Sequence, residues 1–380
     1  MIVIADDITG AAEIAGIAFE HGQKVRLVCG CAGYSNEVAS DETLVIATDM
    51  RSMTEAEAAE ETRRIATHLS PLTTSLFKKT DSALRGHVIA ELTALMQIAG
   101  YQRTVYCPAN PSKGRIIRGG IYYIDQTPID RTDFSFDPEF PATTAALKER
   151  FPEMASKGII MPDAISQNDL FSIVRLYDDG NTLFAGAADL FKMTLPKTTK
   201  QATPQQQSEE FGEGPVLILC GSTQSRPLDL GIPILPMPRE VYDGEQGADY
   251  WLAQYTTSLP QQEVAGEGLS LILTIPYTHR TGKEAAVHLR TVMAEMAKHI
   301  INEHFTPLPH KEGASEGLHL IIEGGATAWA TLQALGWNEF KIERQVAPGV
   351  VQMRAANGTL VTLKPGSYPW GGLFEVKNEK

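Results

Sequence analysis

Two adjacent carboxylates, Asp6 and Asp7, stand between an apolar run, Ile2 to Ala5, and a segment with apolar residues at helical spacing, Ala11, Ile14, Ala15 and Ala18. At such a junction the pair can divide the work. One carboxylate accepts backbone N–H groups at the helix start while the other faces a ligand as hydroxyl acceptor or general base. The plain alternative is that both only cap orphan helix donors, although one cap needs a single carboxylate. An aspartyl-phosphate phosphatase would carry Asp-x-Asp here rather than Asp-Asp.

A second cluster, Lys78-Lys79-Thr80-Asp81-Ser82-Ala83-Leu84-Arg85-Gly86, again follows an apolar segment and precedes a helical one. Lysine, arginine and a helix start together are how an acidic protein would hold a carboxylate or phosphate. The bland reading is a solvated turn in which Asp81 or Ser82 caps the next helix. Pro108 to Arg115 is a third loop after an apolar run, and Arg115 adds a cation to the same rim. The stretch Arg118 to Pro141, with Asp137-Pro138, reads as long and irregular, a form usually functional or mobile in compact domains. Further along, Gly221-Ser222-Thr223, Glu323-Gly324-Gly325-Ala326-Thr327-Ala328 and Lys364-Pro365-Gly366-Ser367 are glycine-bearing turns. The first two follow apolar runs, so their backbone N–H groups could approach a polyphosphate, yet neither is a Walker loop or a Gly-x-Gly-x-x-Gly fingerprint. The histidines lack ligand spacing, and Cys29, Cys31, Cys107 and Cys220 read as buried thiols rather than a metal or redox set.

Strands alternating with helices must position these loops. Strands are predicted at Ile2 to Ala5, Val25 to Cys29, Thr43 to Thr48, Ser75 to Lys79, Thr104 to Cys107, Gly158 to Met161 and Thr182 to Ala185, with helices at Ala11 to Glu20, Glu55 to Ser70, His87 to Ala99 and Gln167 to Leu176. That rhythm implies an α/β fold with a largely parallel sheet covered on both faces. Pro196 to Pro215 interrupts it with Gln205-Gln206-Gln207 and no apolar period, so the boundary falls there, between domains at 1-200 and 213-380. A second α/β domain follows, with strands near Val216 to Cys220, Leu271 to Ile275 and Leu318 to Ile322 and helices at Gly282 to His304 and Ala326 to Leu335.

The chain has 380 residues, 43% hydrophobic and 21% charged, which is ordinary globular usage. Its net charge of −13 argues against nucleic-acid or anionic-membrane surfaces and requires a local basic pocket for any anionic ligand. Apolar runs fall far short of the roughly 20 residues that span a bilayer. The start, Met1 followed by Ile2-Val3-Ile4-Ala5 and two aspartates, has no basic, signal-like segment, so a cytoplasmic protein is expected.

Ile4 to Ala11, Thr48-Asp49-Met50-Arg51-Ser52 and Lys78 to Gly86 resemble the N-terminal domain of the four-carbon acid sugar kinases. The likeness continues in order through Pro108 to Arg115, Asp137-Pro138, Gly186 to Leu190, Gly221-Ser222, Gly324 to Ala328, Pro348-Gly349-Val350 and Leu363 to Gly366. It implies two three-layer α/β domains with parallel or mixed sheets and an active site in the cleft between them. The implied reaction is ATP-dependent phosphorylation of the C4 hydroxyl of threonate, erythronate or a 3-oxo-tetronate, with ATP and Mg2+ as cofactors. Carried over by position, Ser222, Gly324, Gly325, Ala326, Thr327 and Gly366 are similar to nucleotide contacts. Asp6, Asp7, Lys79, Asp81, Ser82, Arg85 and Arg115 are similar to the sugar-acid side. Within that set the needs of phosphoryl transfer assign Asp7 as proton acceptor, Asp6 to orient the loop or meet magnesium through water, and Arg85 and Lys79 to clamp the carboxylate. Ala83 departs from the family's usual threonine, and Gly366-Ser367-Tyr368-Pro369 from its Gly-Asn-Phe-Gly turn. Two other functions stay open: a sugar-phosphate phosphatase or lyase using Asp6 and Asp7, and a non-catalytic sugar-acid sensor.

Overall fold

In the computed structural model, the apolar start of the chain is strand β1 (Ile2–Ala5), buried along its whole length. The structure describes residues 1–30, 38–39, 41–70, 75–137, 139–196, 214–221, 228, 230–258, 270–277, 282–304, 317–366, 368, 370 and 373. The chain divides into two units, Met1–Ala202 and Thr203–Lys380. Most of the stretch expected as a linker lies outside the described residues.

In the first unit β1 leads into α1 (Ile8–Glu20), followed by β2 (Lys24–Cys29), β3 (Glu42–Ala47), α2 (Glu55–His68), β4 (Leu76–Lys79), α3 (Val88–Ala99) and β5 (Arg103–Cys107). Strands β6 (Arg115–Arg118), β7 (Ile121–Ile124) and β8 (Thr127–Pro128) come next, then α4 (Leu147–Arg150), β9 (Ile159–Ile160), α5 (Gln167–Tyr177), β10 (Thr182–Gly186) and α6 (Ala188–Thr194). Helix starts follow local chemistry: Thr54 with Glu57 and Ser166 with Asp169 form capping boxes for α2 and α5. The main sheet runs β2-β3-β1-β4-β10-β5-β9, parallel throughout. Alternate residues Ile2, Ile4, Leu44 and Ile46 form a core with Ala58 and Ile65 of α2 and Leu92 and Leu95 of α3, while α1 packs with α6.

After β1 the chain moves toward β2 and β3, whereas after β4 it moves toward β5, so the strand order reverses between β1 and β4. Ligands of open α/β sheets bind outside the carboxyl ends of the strands at such a point. The register sets Ala5, Ala47, Lys79, Gly186 and Cys107 side by side. The loops that follow them therefore leave along one edge. One expectation is corrected: Arg118 to Pro141 is not irregular throughout, because β6, β7 and β8 form a small antiparallel sheet. Its positive-φ turns at Gly119, Gly120, Asp125 and Gln126 gave no strand signal to a reading based on alternation.

The second unit comprises β11 (Val216–Cys220), β12 (Ile234–Pro236), α7 (Arg239–Tyr242), α8 (Ala248–Ser258), β13 (Leu271–Thr274), α9 (Lys283–His304), β14 (His319–Glu323), α10 (Gly325–Leu335), β15 (Glu339–Ala347), β16 (Val350–Ala355) and β17 (Leu360–Lys364). Its strand order is β12-β13-β11-β14-β17-β16-β15, parallel except for the antiparallel β15-β16-β17 meander. Here too the order reverses, between β11 and β14, and Cys220, Glu323 and Lys364 stand in one row. The three glycine-bearing turns start from that row.

Candidate functional site

Arg51 is the hub of the first unit's loops. It lies in a short 3-10 turn after β3, and its guanidinium donates to Asp6 Oδ2 from Nε at 3.2 Å and Nη2 at 2.9 Å. It also donates to Asp7 Oδ2 from Nη1 at 3.2 Å, and Nη2 stands 3.8 Å from Asp81 Oδ1. Desolvation works against this buried cation, but Asp6, Asp7 and Asp81 together hold its charge more firmly than in water.

The two neighbouring carboxylates diverge. Asp6 is 2% exposed, its Oδ1 has no partner, and burial raises its pKa above the usual carboxylate value. Asp7 caps α1, accepting from Gly10 N at 2.9 Å and from Thr9 Oγ1 at 2.6 Å. Burial pushes Asp7 up as well, yet Arg51, Lys79 and these hydrogen bonds outweigh it and leave the pKa lowered. Adjacent in sequence, Asp6 is the buried member and Asp7 the ionised one at the rim.

Asp81 does not cap α3, whose N-cap is His87. It accepts from Ala83 N at 3.0 Å and grips Arg85 through Nε at 2.8 Å and Nη2 at 3.0 Å. Burial opposes its charge, but Arg85 and Arg51 hold the carboxyl well below the usual range. Between them Leu84 takes φ 63°, a left-handed conformation that a side chain strains to adopt and that turns the chain so Arg85 meets Asp81. Arg85 is thus already engaged by Asp81, with Asp137 Oδ2 a further 3.7 Å from Nη1. Two of its nitrogens are thereby occupied, and any substrate carboxylate it clamps would meet a guanidinium that Asp81 already orients. Lys79, the other expected clamp, stands 3.6 Å from Glu13 and donates to Thr80 O at 3.1 Å.

Ser82 Oγ accepts from Arg115 Nη1, and Ser82 O accepts from the Tyr122 hydroxyl of β7. The small sheet is thereby fastened to the loop after β4, which brings Arg115 into the cluster. Ser112 donates to Asp189 from N at 2.8 Å and Oγ at 2.9 Å, and Lys113 reaches Glu13 at 2.7 Å. Arg51, Glu13, Lys113 and Asp189 were not singled out as site residues. Arg51 and Asp189 lie in the stretches that carry the family resemblance, but a buried Glu13 inside an apolar helix offers no such signal.

In the second unit Ser222 lies outside the described residues, as does Cys31 among the thiols. Cys29, Cys107 and Cys220 are buried and free, each pushed up to about 12 by desolvation, which makes them poor nucleophiles. Gly221 abuts Thr327: a Cβ there would overlap the Thr327 side chain. Gly324 has φ 98° and starts α10, but its N–H donates to Lys364 O at 2.9 Å. That N–H is therefore engaged by the chain itself. Gly325, Ala326 and Thr327 form the first helical turn, with no side-chain cap, so their N–H groups are the donors that face outward. Lys364 is paired with buried Glu323 and donates to Pro365 O at 3.1 Å and Gly366 O at 3.3 Å, fixing the Gly366 turn.

Among the described residues no group of three or more His, Cys, Asp or Glu is arranged to hold a metal ion. Asp6 and Asp7 already share a guanidinium, so the donor set does not fit a resident divalent ion. Magnesium would arrive on the nucleotide phosphates, as part of the substrate. Among the described residues no helix is long and apolar enough to cross a membrane.

Two family models match the chain. Residues 1–156 match the model of a sugar-binding N-terminal domain, and residues 238–368 that of a nucleotide-binding C-terminal domain. The chain is 24% identical over 423 residues to a 3-oxo-tetronate kinase of Cupriavidus necator, covering 98% of this chain and 95% of that protein. It is 25% identical over 393 residues to a D-threonate kinase of the same organism, covering 92% and 89%. A crystal structure of a Haemophilus influenzae protein shares the fold, with TM-score 0.66 at 20% identity over 98% of each chain. The chain is therefore a kinase and belongs to the four-carbon acid sugar kinase family.

Proposed function

We propose that this protein transfers the γ-phosphoryl group of ATP to O4 of a four-carbon sugar acid, threonate, erythronate or a 3-oxo-tetronate. Residues 1-200 bind the acid and 213-380 the nucleotide. The observation that carries the reading is the Asp6-Arg51-Asp7 arrangement at the strand-order reversal, where one carboxylate is kept ionised at the rim. Phosphoryl transfer asks for positioning, charge neutralisation and one acceptor for the hydroxyl proton. Asp7 is that acceptor; Asp6 anchors Arg51. Asp81 fixes Arg85 and the turn carrying Ser82, while Lys79 balances Glu13 beside the helix start. On the nucleotide side the N–H groups of Gly325, Ala326 and Thr327 receive phosphate oxygens, with Ser222 and the Gly366 turn assigned by resemblance.

The test is an ADP-release assay across D- and L-threonate, D- and L-erythronate and the 3-oxo acids, with 31P NMR locating the new ester. Turnover confined to one or more of these acids, esterified at O4, is expected. Phosphate release from a tetronate phosphate without ATP would replace the reading with a phosphatase. Asp7→Asn should lower turnover by roughly 100-fold or more while nucleotide binding persists. Unchanged turnover would remove Asp7 from the chemistry.

A further inference from the structure

The outward N–H groups of Gly325, Ala326 and Thr327 suit phosphate oxygens, and the base of a nucleotide needs a surface of another kind. The carboxyl ends of the second unit's parallel strands form one row: Pro236, Thr274, Cys220, Glu323 and Lys364. Three residues beyond that row, β12 delivers Arg239 and β13 delivers Tyr277. The two loops leave together, because Met237 N donates to Thr274 O at 2.8 Å. Arg239 Cζ stands 5.0 Å from the centroid of the Tyr277 ring and 5.6 Å from that of Tyr242, and the two rings are 4.9 Å apart. Tyr242 is buried, Tyr277 half-buried and Arg239 exposed. Arg239 Nε donates to Asp243 Oδ2 at 2.6 Å, and His288 of α9 donates to Val241 O at 2.7 Å, so the guanidinium and the short helix carrying it are both held. At an exposed site such a stack contributes only about 0.5 to 1 kcal/mol to the fold.

We infer that Tyr277 and Arg239 form the platform on which the base of the nucleotide stacks. The assignment rests on the proposed reading of this unit as the ATP site and deepens it. Phosphates held at the start of α10 lie beyond the end of β14, and β13 is two strands away in the sheet, about 10 Å. The α-phosphate and ribose bridge that gap, so the base arrives over the loops that follow β12 and β13. An aromatic ring and a guanidinium plane are the two side-chain surfaces on which a base stacks, and here they stand against each other. On the opposite side, beyond β17, the rings are engaged by the chain itself. Trp370 has Lys364 Nζ 4.9 Å from its centroid and packs on the core, and the Tyr368 ring fills the space where a Cβ on Gly349 would stand.

The experiment measures the binding of ADP and of pyrophosphate, each with Mg2+ and without any sugar acid, by isothermal titration calorimetry on wild type, Tyr277→Leu, Tyr277→Phe and Arg239→Met. Wild type should hold ADP more tightly than pyrophosphate, which has the phosphates but no base. Tyr277→Leu should weaken ADP by about 5- to 150-fold and leave pyrophosphate unchanged. Tyr277→Phe, which keeps the ring and is the milder test of folding, should bind ADP as wild type does. Arg239→Met should lose about 2- to 30-fold on ADP alone. Equal losses on ADP and pyrophosphate, or wild-type ADP affinity in folded Tyr277→Leu, would overturn the assignment. A protein that binds ADP in the expected pattern yet turns over no tetronate would refute the sugar-acid half of the proposed function and leave the platform standing. A wild type that binds neither ligand would sink the nucleotide reading, and the platform with it.

Discussion

Replacing Arg51 by methionine tests how the site keeps its base ionised. Asp7 is flanked by Arg51 from the turn after β3, Lys79 from β4, Glu13 from α1 and Asp6. Its own side chain is 15% exposed, so the charges act through a largely dry medium. An opposite charge at this range lowers an aspartate pKa. Lys79, Thr9 and the Gly10 N–H remain after the substitution, so the Asp7 pKa should rise by only part of what Arg51 contributes. The sign follows from the base's need to be ionised: a lowered pKa keeps kcat/KM flat on the acid side, and a raised one moves the acid limb to higher pH. Arg51→Met also strands buried Asp6, whereas Asp81 keeps Arg85, and removing the partner of a buried charge costs about 3 to 5 kcal/mol. The assay is therefore kcat/KM across pH 4 to 9, on the order of ten points, at a temperature where circular dichroism reports a folded variant. Arg51→Lys should return the limb most of the way. A folded Arg51→Met protein with the wild-type acid limb would refute the reasoning.

Three further substitutions probe other parts of the molecule. Lys78 and Glu91 form a fully buried ion pair, so Lys78→Met alone should destabilise the first unit by about 3 to 5 kcal/mol in urea unfolding, and Lys78→Met with Glu91→Leu should recover most of it. If the single change costs no more than the double, the pair is not what holds β4 to α3. In the second unit Gly221→Ala would push Thr327 and the start of α10, and overpacking of about 1 to 3 kcal/mol should raise the ATP KM by roughly 5- to 150-fold while the KM for the acid stays. A change in the acid KM alone would contradict the assignment of that turn to the nucleotide.

Sequence by itself determined what depends on neighbours along the chain. The buried strands Ile2–Ala5 and Val216–Cys220 read directly from their apolar runs, and α2 and α5 from their periodicity. Placement of Asp6-Asp7, Lys78 to Gly86 and Gly324 to Thr327 after strands was legible for the same reason, since a parallel sheet sends each such loop to its carboxyl edge. The meander β15-β16-β17 and the small sheet holding Arg115 escaped that reading, because their partners are chosen by register and packing. Only the tertiary structure decided which charges meet. Arg51 lies 44 residues from Asp7, Arg115 lies 33 from Ser82, and Lys364 lies 41 from Glu323. Nothing local distinguishes Arg85, gripped by both oxygens of Asp81, from Arg115, whose hydrogen bond goes to the Ser82 hydroxyl. Burial and proximity set ionisation and pairing, and those are properties of the folded chain.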